Sequence, residues 1–200
     1  MESPPVIRDG VPDDLDTLVD TLCDSFSEDP IFNWVFPQAA LYPYFFNLVV
    51  RDLYLPRGMI HMDGGGRAAA LWLPPEERYE IPPRLSLLNF GVRLVRHGGL
   101  RGLQRLRRQG VVYAKRLPRE PHYYLQFLGC RHDHQGKGIG AALLRQGLEI
   151  CDERDMPAYL ESSNRRNLPL YERHGFVVRD TAQVGSDGPT VWFMWREPQQ

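Results

Sequence analysis

A chain of 200 residues is long enough for one mid-sized domain, and its 42% hydrophobic and 24% charged content is that of an ordinary soluble globular protein. A net charge of −1 argues against global attraction to nucleic acid, and no apolar run approaches the ~18 residues that cross a bilayer. The opening MESPPVIRDG lacks the basic start and apolar stretch of a secretory signal, while Cys23, Cys130 and Cys151 are widely spaced and odd in number, so a reducing, cytoplasmic setting is expected.

In chain order, residues 6–10 predict a short strand ending in a turn. Residues 11–26 predict a helix: Pro12 and acids occupy its first turn, and Leu15, Leu18, Val19, Leu22 and Phe26 recur at helical spacing. Residues 28–37, bounded by prolines, read as a short helix or turn. Residues 39–55 are apolar nearly all round and predict a buried helix, with Pro43 tolerated only near its start. A hairpin follows, strands 58–62 and 67–73 about Gly64–Gly66. The stretch 84–117 alternates Leu and Val with Arg at helical spacing, 121–130 is an aromatic-rich strand, and 138–154 is a helix with a broad apolar face. A strand at 157–162, a short helix at 167–175 stopped by Gly175, and two strands about GSDGP complete the chain. The expectation is one α/β domain over residues 1–200 with a basic helical insert at about 76–119.

Residues 131–144, RHDHQGKGIGAALL, set Gly136, Gly138 and Gly140 at alternate positions between a strand and a helix. Gly136-x-Gly138-x-x-Ala141 satisfies a dinucleotide fingerprint, and Glu161 follows about 20 residues on. However, the first glycine does not follow its strand directly, and too little sequence remains for the further parallel strands of that fold. A P-loop fails because Lys137 precedes Gly138 rather than Ser or Thr. The third reading is a diphosphate cradle. The unpaired N–H groups opening helix 138–154 point at an anion, the glycines let it approach bare backbone, and Gln135 can add its amide.

Here the sequence resembles a known family. Gln135-x-x-Gly138-x-Gly140 is similar to the Q/R-x-x-G-x-G/A signature of the GNAT superfamily of N-acetyltransferases. Asn164, Asn167, Leu170, Tyr171, Gly175 and Phe176 in NRRNLPLYERHGF resemble its second signature. From about residue 121 onward the chain looks closest to puromycin N-acetyltransferase-like proteins. The resemblance implies a mixed, mostly antiparallel central sheet flanked by helices, with splayed central strands. It implies acetyl-CoA as co-substrate and direct acetyl transfer to an amine of a small molecule, including an antibiotic or other drug-like amine. It also implies that the pantetheine arm pairs with backbone around Phe127, Leu128, Gly129 and Cys130, and that the diphosphate meets Gln135, Gly136, Lys137, Gly138, Ile139 and Gly140. The partner is then a small-molecule amine, with no membrane or nucleic acid, for a monomer or homodimer. The alternatives are a CoA-binding protein without transferase activity and a nucleotide-linked oxidoreductase.

Such chemistry needs an unprotonated amine and a proton for the departing thiolate. Tyr171, on the short helix after strand 157–162, is the candidate acid; otherwise it is a packed tyrosine. Strand alternation turns Ala158 and Leu160 toward helix 138–154 and Tyr159 and Glu161 to the opposite face, making Glu161 the candidate base or substrate anchor. The competing reading pairs Glu161 with Arg165 or Arg166. Asn164 and Asn167 either cap the short helix or meet the pantetheine amides. Gly129, in a bulky strand, marks a bulge or a close backbone approach. Cys130, His132, Asp133 and His134 lack a second ligand pair at metal spacing, so no metal site is expected.

Charge is unevenly spread. Asp13, Asp14, Asp16, Asp20, Asp24, Glu28 and Asp29 form an acidic run that the resemblance places beside the acceptor site, with Asp29 and Trp34 as wall residues. Leu85, Leu88, Val92, Val95, Leu103 and Leu106 sit among arginines in the basic insert. That helix either touches an anionic surface, packs by its leucines, meets the coenzyme's 3′-phosphate, or lids the site.

Overall fold

The structure, a computed structural model, describes residues 5–199. Strands β1 (Ile7–Asp9), β2 (Met59–Asp63), β3 (Ala68–Leu73), β4 (Tyr123–Cys130), β5 (Ala158–Ser162), β6 (Val177–Gln183) and β7 (Thr190–Arg196) form one sheet in the order β1-β2-β3-β4-β5-β7-β6. The helices are α1 (Leu15–Ser25), α2 (Pro30–Val35), α3 (Tyr42–Val49), α4 (Leu55–Arg57), α5 (Leu85–Ala114), α6 (Ile139–Glu153) and α7 (Leu168–Glu172). The expected buried helix 39–55 runs on to Arg57, through a π-helical turn at Val50–Tyr54. Pro56 supplies the reason: it has no N–H to bond back along the helix, and the widened turn lies immediately before it.

Side-chain alternation explains the layers. Ala69, Leu71, Tyr124, Phe127, Tyr159 and Phe193 face α1, α2, α3 and α5. Ala68, Ala70, Trp72, Tyr123, Leu125, Ala158 and Leu160 face α6 and α7. Both faces of β3 are covered, which is why its AAALWL is buried throughout.

Only β4 and β5 pair in parallel among the described residues, which leaves no doubly wound parallel sheet for the oxidoreductase reading. That pairing covers Tyr123↔Ala158, Tyr124↔Tyr159 and Leu125↔Leu160. Beyond Leu125, β4 stays paired with β3 as far as Cys130 while its other edge parts from β5. The splayed centre is therefore present. A bulge marks its start: Leu71 opposes Phe127 and Trp72 opposes Leu125, so Gln126 is the extra residue. Gly129, expected at a bulge or a close approach, serves the second purpose. A Cβ there would lie 2.8 Å from Cβ of Ser25 in α1.

The basic insert is a helix, as its spacing predicts, and of the stripe Leu85, Leu88, Val92, Val95, Leu103 and Leu106 only Leu106 packs inward. Phe90 and Leu94 are buried, with Leu87, Leu106 and Tyr113 packed against the same core, whereas Leu85, Leu88, Val92, Val95 and Leu103 face outward. α5 also kinks at Gly99, whose φ is 61°. Its arginines hold it down: Arg93 lies over Tyr44, Arg105 over Trp34 and Arg116 over Phe193.

Candidate active site

The glycine loop joins β4 to α6. The Gln135 side-chain amide donates to the Cys130 carbonyl at 3.1 Å, folding the loop onto the strand end rather than reaching outward for an anion. Gly136 and Gly138 have φ of 74° and 81°, and Gly138 is the N-cap of α6. In this left-handed region a side chain is strained, which accounts for both glycines. An added Cβ at Gly136, Gly138 or Gly140 would meet nothing within 4 Å, so the approach to the helix mouth is open. Ile139 is buried in the core and contributes only backbone, while Lys137 is exposed beside it. A 15-residue helix beginning at such a mouth fits a diphosphate in both charge and access.

A cavity of about 410 Å³ opens where β4 and β5 part. Phe127 and Leu128 of β4 line it, as do Phe26, Phe32, Phe36 and Phe45 from the α1–α3 layer. Its polar wall is Glu161, Asp29, Ser163, Asn167 and Tyr171. Leu106, Gln109, Tyr113 and Leu117 close the far side, so the insert acts as a roof. Gly129 and Cys130 lie beyond the lining; the Cys130 thiol is half-buried, and burial pushes its pKa up.

Glu161 makes no pair with Arg165 or Arg166. It accepts from the Tyr124 hydroxyl at 2.5 Å and from the Tyr159 hydroxyl at 2.9 Å. Burial pushes its carboxyl up to about 7, against the opposing pull of those two donors. Asp29 caps α2 through the N–H groups of Ile31 and Phe32 at 2.9 and 3.0 Å, and it accepts from the Ser163 hydroxyl at 2.7 Å. It thereby ties α2 to the end of β5, and burial raises its pKa. Tyr171 is buried at the cavity wall and its hydroxyl has no hydrogen-bond partner among the described residues. Burial, then the Asp29 charge, pushes that phenol above its ordinary range.

Asn164 takes the capping role, accepting from Arg166 N–H at 3.0 Å, whereas Asn167 lines the cavity. Trp34 does not line it; Trp34 packs under Arg105 and against the turn at Gly185–Gly188. Asp24, further along the acidic run, bonds to the His132 backbone N–H at 2.8 Å and so braces the glycine loop. Tyr124, Ser163, Tyr113 and Gln109 were not singled out from the sequence. The alternation that assigns Glu161 also assigns Tyr124, once β4 and β5 are known to be neighbours. Nothing in the sequence brings Tyr113 and Gln109 to this face.

The profile of the acetyltransferase (GNAT) family matches residues 74–176. An uncharacterised N-acetyltransferase of Schizosaccharomyces pombe is 38% identical over 84 residues, 40% of this chain and 34% of that protein. Mycothiol acetyltransferase of Streptomyces coelicolor is 39% identical over 57 residues, 27% of this chain and 18% of that protein. The chain thus spans about a third or less of the length of these relatives. In fold it is similar to a histone acetyltransferase HPA2-related acetyltransferase of Corynebacterium glutamicum, with TM-score 0.71 and 24% identity over 99% of this chain and 98% of that one. It is also similar to arylalkylamine N-acetyltransferase 2 of Aedes aegypti, with TM-score 0.64 and 11% identity over 98% and 100% of the two chains. With its profile matched over more than half the sequence, the chain belongs to the acetyltransferase (GNAT) family.

Proposed function

We propose that this chain transfers the acetyl group of acetyl-CoA directly to an amine of a small molecule, an antibiotic or other drug-like amine with an apolar body. The observation that carries this reading is the cavity at the β4–β5 split, which holds Glu161 and Tyr171 together and is flanked by an open helix mouth. Acetyl-CoA, when bound, supplies an acetyl group on a thioester. The N–H groups at Gly138, Ile139 and Gly140 hold its diphosphate, and the unpaired edge of β4 around Phe127–Cys130 holds its arm.

Glu161 accepts the proton of the incoming ammonium, and its upward-shifted carboxyl suits that task near neutral pH. Tyr171 stays protonated and gives its proton to the departing sulfur. Asn167 bonds the amides of the bound arm, and Asp29 adds negative charge on the acceptor side. The Phe-lined wall favours an amine attached to an apolar or aromatic group over an aminosugar. Residues 1–200 act as one domain whose insert at about 76–119 roofs the acceptor end. Its three free thiols fit a reducing cytoplasm. Puromycin remains a candidate through the motif resemblance alone, since neither relative named above carries that name.

Calorimetric titration with CoA and a thiol-release assay over an amine panel test this reading. The panel holds puromycin, phenethylamine, tryptamine and glucosamine. CoA binding with thiol release on the apolar amines is expected. CoA binding without turnover of any amine would leave a CoA-binding protein, and no heat with CoA at millimolar concentration would overturn the cradle itself.

A further inference from the structure

Glu161 is a carboxyl in a place that disfavours its charge. It faces a cavity with apolar walls, and the groups around it from other elements are phenols rather than cations. Tyr124 reaches it from β4, Tyr159 stands two residues before it on β5, and the Tyr113 phenol of α5 and the buried Tyr54 phenol both feel its charge. Arg116, just after α5, acts on Tyr159, and His122 lies beyond the pair with its ring 5.4 Å from that of Tyr159 and 6.5 Å from that of Tyr124. Among the described residues no salt bridge reaches Glu161; its two side-chain donors are the two hydroxyls, one on each oxygen, and its own backbone N–H adds a smaller pull.

We propose that Tyr124 and Tyr159 are positioning residues for Glu161: each donates to a different carboxylate oxygen, fixing the carboxylate toward the cavity and keeping it able to accept a proton there. This rests on the acetyl-transfer reading given above. The physical argument is one of sign. Both phenols lie beside a negative charge and out of water, which drives their own pKa values up, so they remain donors across the working range of pH. A fixed donor stabilises the ionised carboxyl more than the protonated one and therefore opposes the effect of burial. Without the pair, Glu161 would hold its proton through neutral pH and would be no base. The two rings lie 5.4 Å apart in paired strands, so the clamp is built on the sheet and not on a loop.

The test is carboxyl-carbon NMR of the full chain labelled with 13C-glutamate, followed against pH, with the Glu161 signal assigned by its loss in Glu161→Gln. In the wild type that signal is expected to titrate near 7. In Tyr124→Phe and in Tyr159→Phe the midpoint moves up by about one pH unit, a tenfold gain in proton affinity. In parallel, the acid limb of kcat/KM against pH moves in the same direction for any amine that the wild type acetylates. Two variants guard against one failing to fold. Unmoved midpoints in both overturn the proposal. A protein that acetylates none of the amines overturns the transfer reading alone, because the NMR titration then still decides whether the clamp tunes Glu161.

Discussion

Tyr171 shows what one hydroxyl can do at the end of an apolar cavity. A buried phenol normally finds a carbonyl; this one has no partner among the described residues and lines the cavity with Asp29 and Asn167. Replacing it with Phe keeps the ring that packs edge-on to Phe176 at 6.0 Å and removes only the hydroxyl. Tyr171→Phe is therefore expected to lower turnover at least ~10-fold, in line with general-acid contributions, while the calorimetric Kd for CoA stays within a factor of about two. Unchanged turnover would reject the acid role. At this scale, the sequence yields a residue's identity and its face but not its company. Strand alternation places Glu161 on the open face without any structure. Alternation also puts Tyr159 on that face, but Tyr124 becomes visible as its partner only once β4 lies beside β5. Trp34 fails for the same reason: a wide aromatic in an apolar segment suits a cavity wall and a guanidinium stack equally well.

Elements were legible where one period dominates and ambiguous where two compete. Helix α6 carries a single apolar face and the hairpin β2–β3 is marked by its glycine turn, and both sit where the sequence puts them. In α5, Leu85, Leu88, Val92 and Val95 are spaced as regularly as Leu87, Phe90 and Leu94, so period alone does not say which stripe turns inward. Only the aromatic rings of α2 and α3 decide it, through Phe36 and Phe45 against Phe90. For α6, the element makes a sharper claim than its glycines do separately. Substituting Gly138 mixes backbone strain with steric block because its φ is 81°. Gly140 lies within the helix, its added Cβ would meet no atom within 4 Å, and a larger residue there raises helix propensity by up to ~1 kcal/mol. Gly140→Leu should then leave the melting temperature unchanged or higher, yet weaken CoA binding at least ~10-fold by filling the approach to the N–H groups. Scanning calorimetry and a CoA titration on the same sample separate the two effects. A stable variant with undiminished affinity would remove the diphosphate from this helix mouth.

At the scale of the whole molecule, the cavity is a joint product of segments far apart in sequence. The Phe-rich wall comes from the N-terminal helices, Glu161 and Tyr171 from the C-terminal third, and the roof from α5 between them. Besides its packing and arginine stacks, the roof makes a set of ion pairs to the β6–β7 hairpin. Arg116 meets Asp180 at 2.6 Å, Arg105 meets Asp187 at 3.1 Å, and Arg108 approaches Asp187 at 3.9 Å. Both acids are exposed, so these pairs contribute little to the stability of the core, which sits in the two layers flanking the sheet. They act on the position of one helix instead. Asp180→Asn combined with Asp187→Asn should leave the melting temperature nearly unchanged while amide exchange quickens across residues 103–117. KM for the acceptor amine should rise with the CoA affinity constant held, and raising the salt concentration on the wild type should reproduce part of the effect, because exposed pairs are screened. If exchange in 103–117 and KM both stay at wild-type values, the roof is held by its core packing and by the stacking of Arg105 and Arg116 on Trp34 and Phe193, and the ion pairs to the hairpin have no part in acceptor binding.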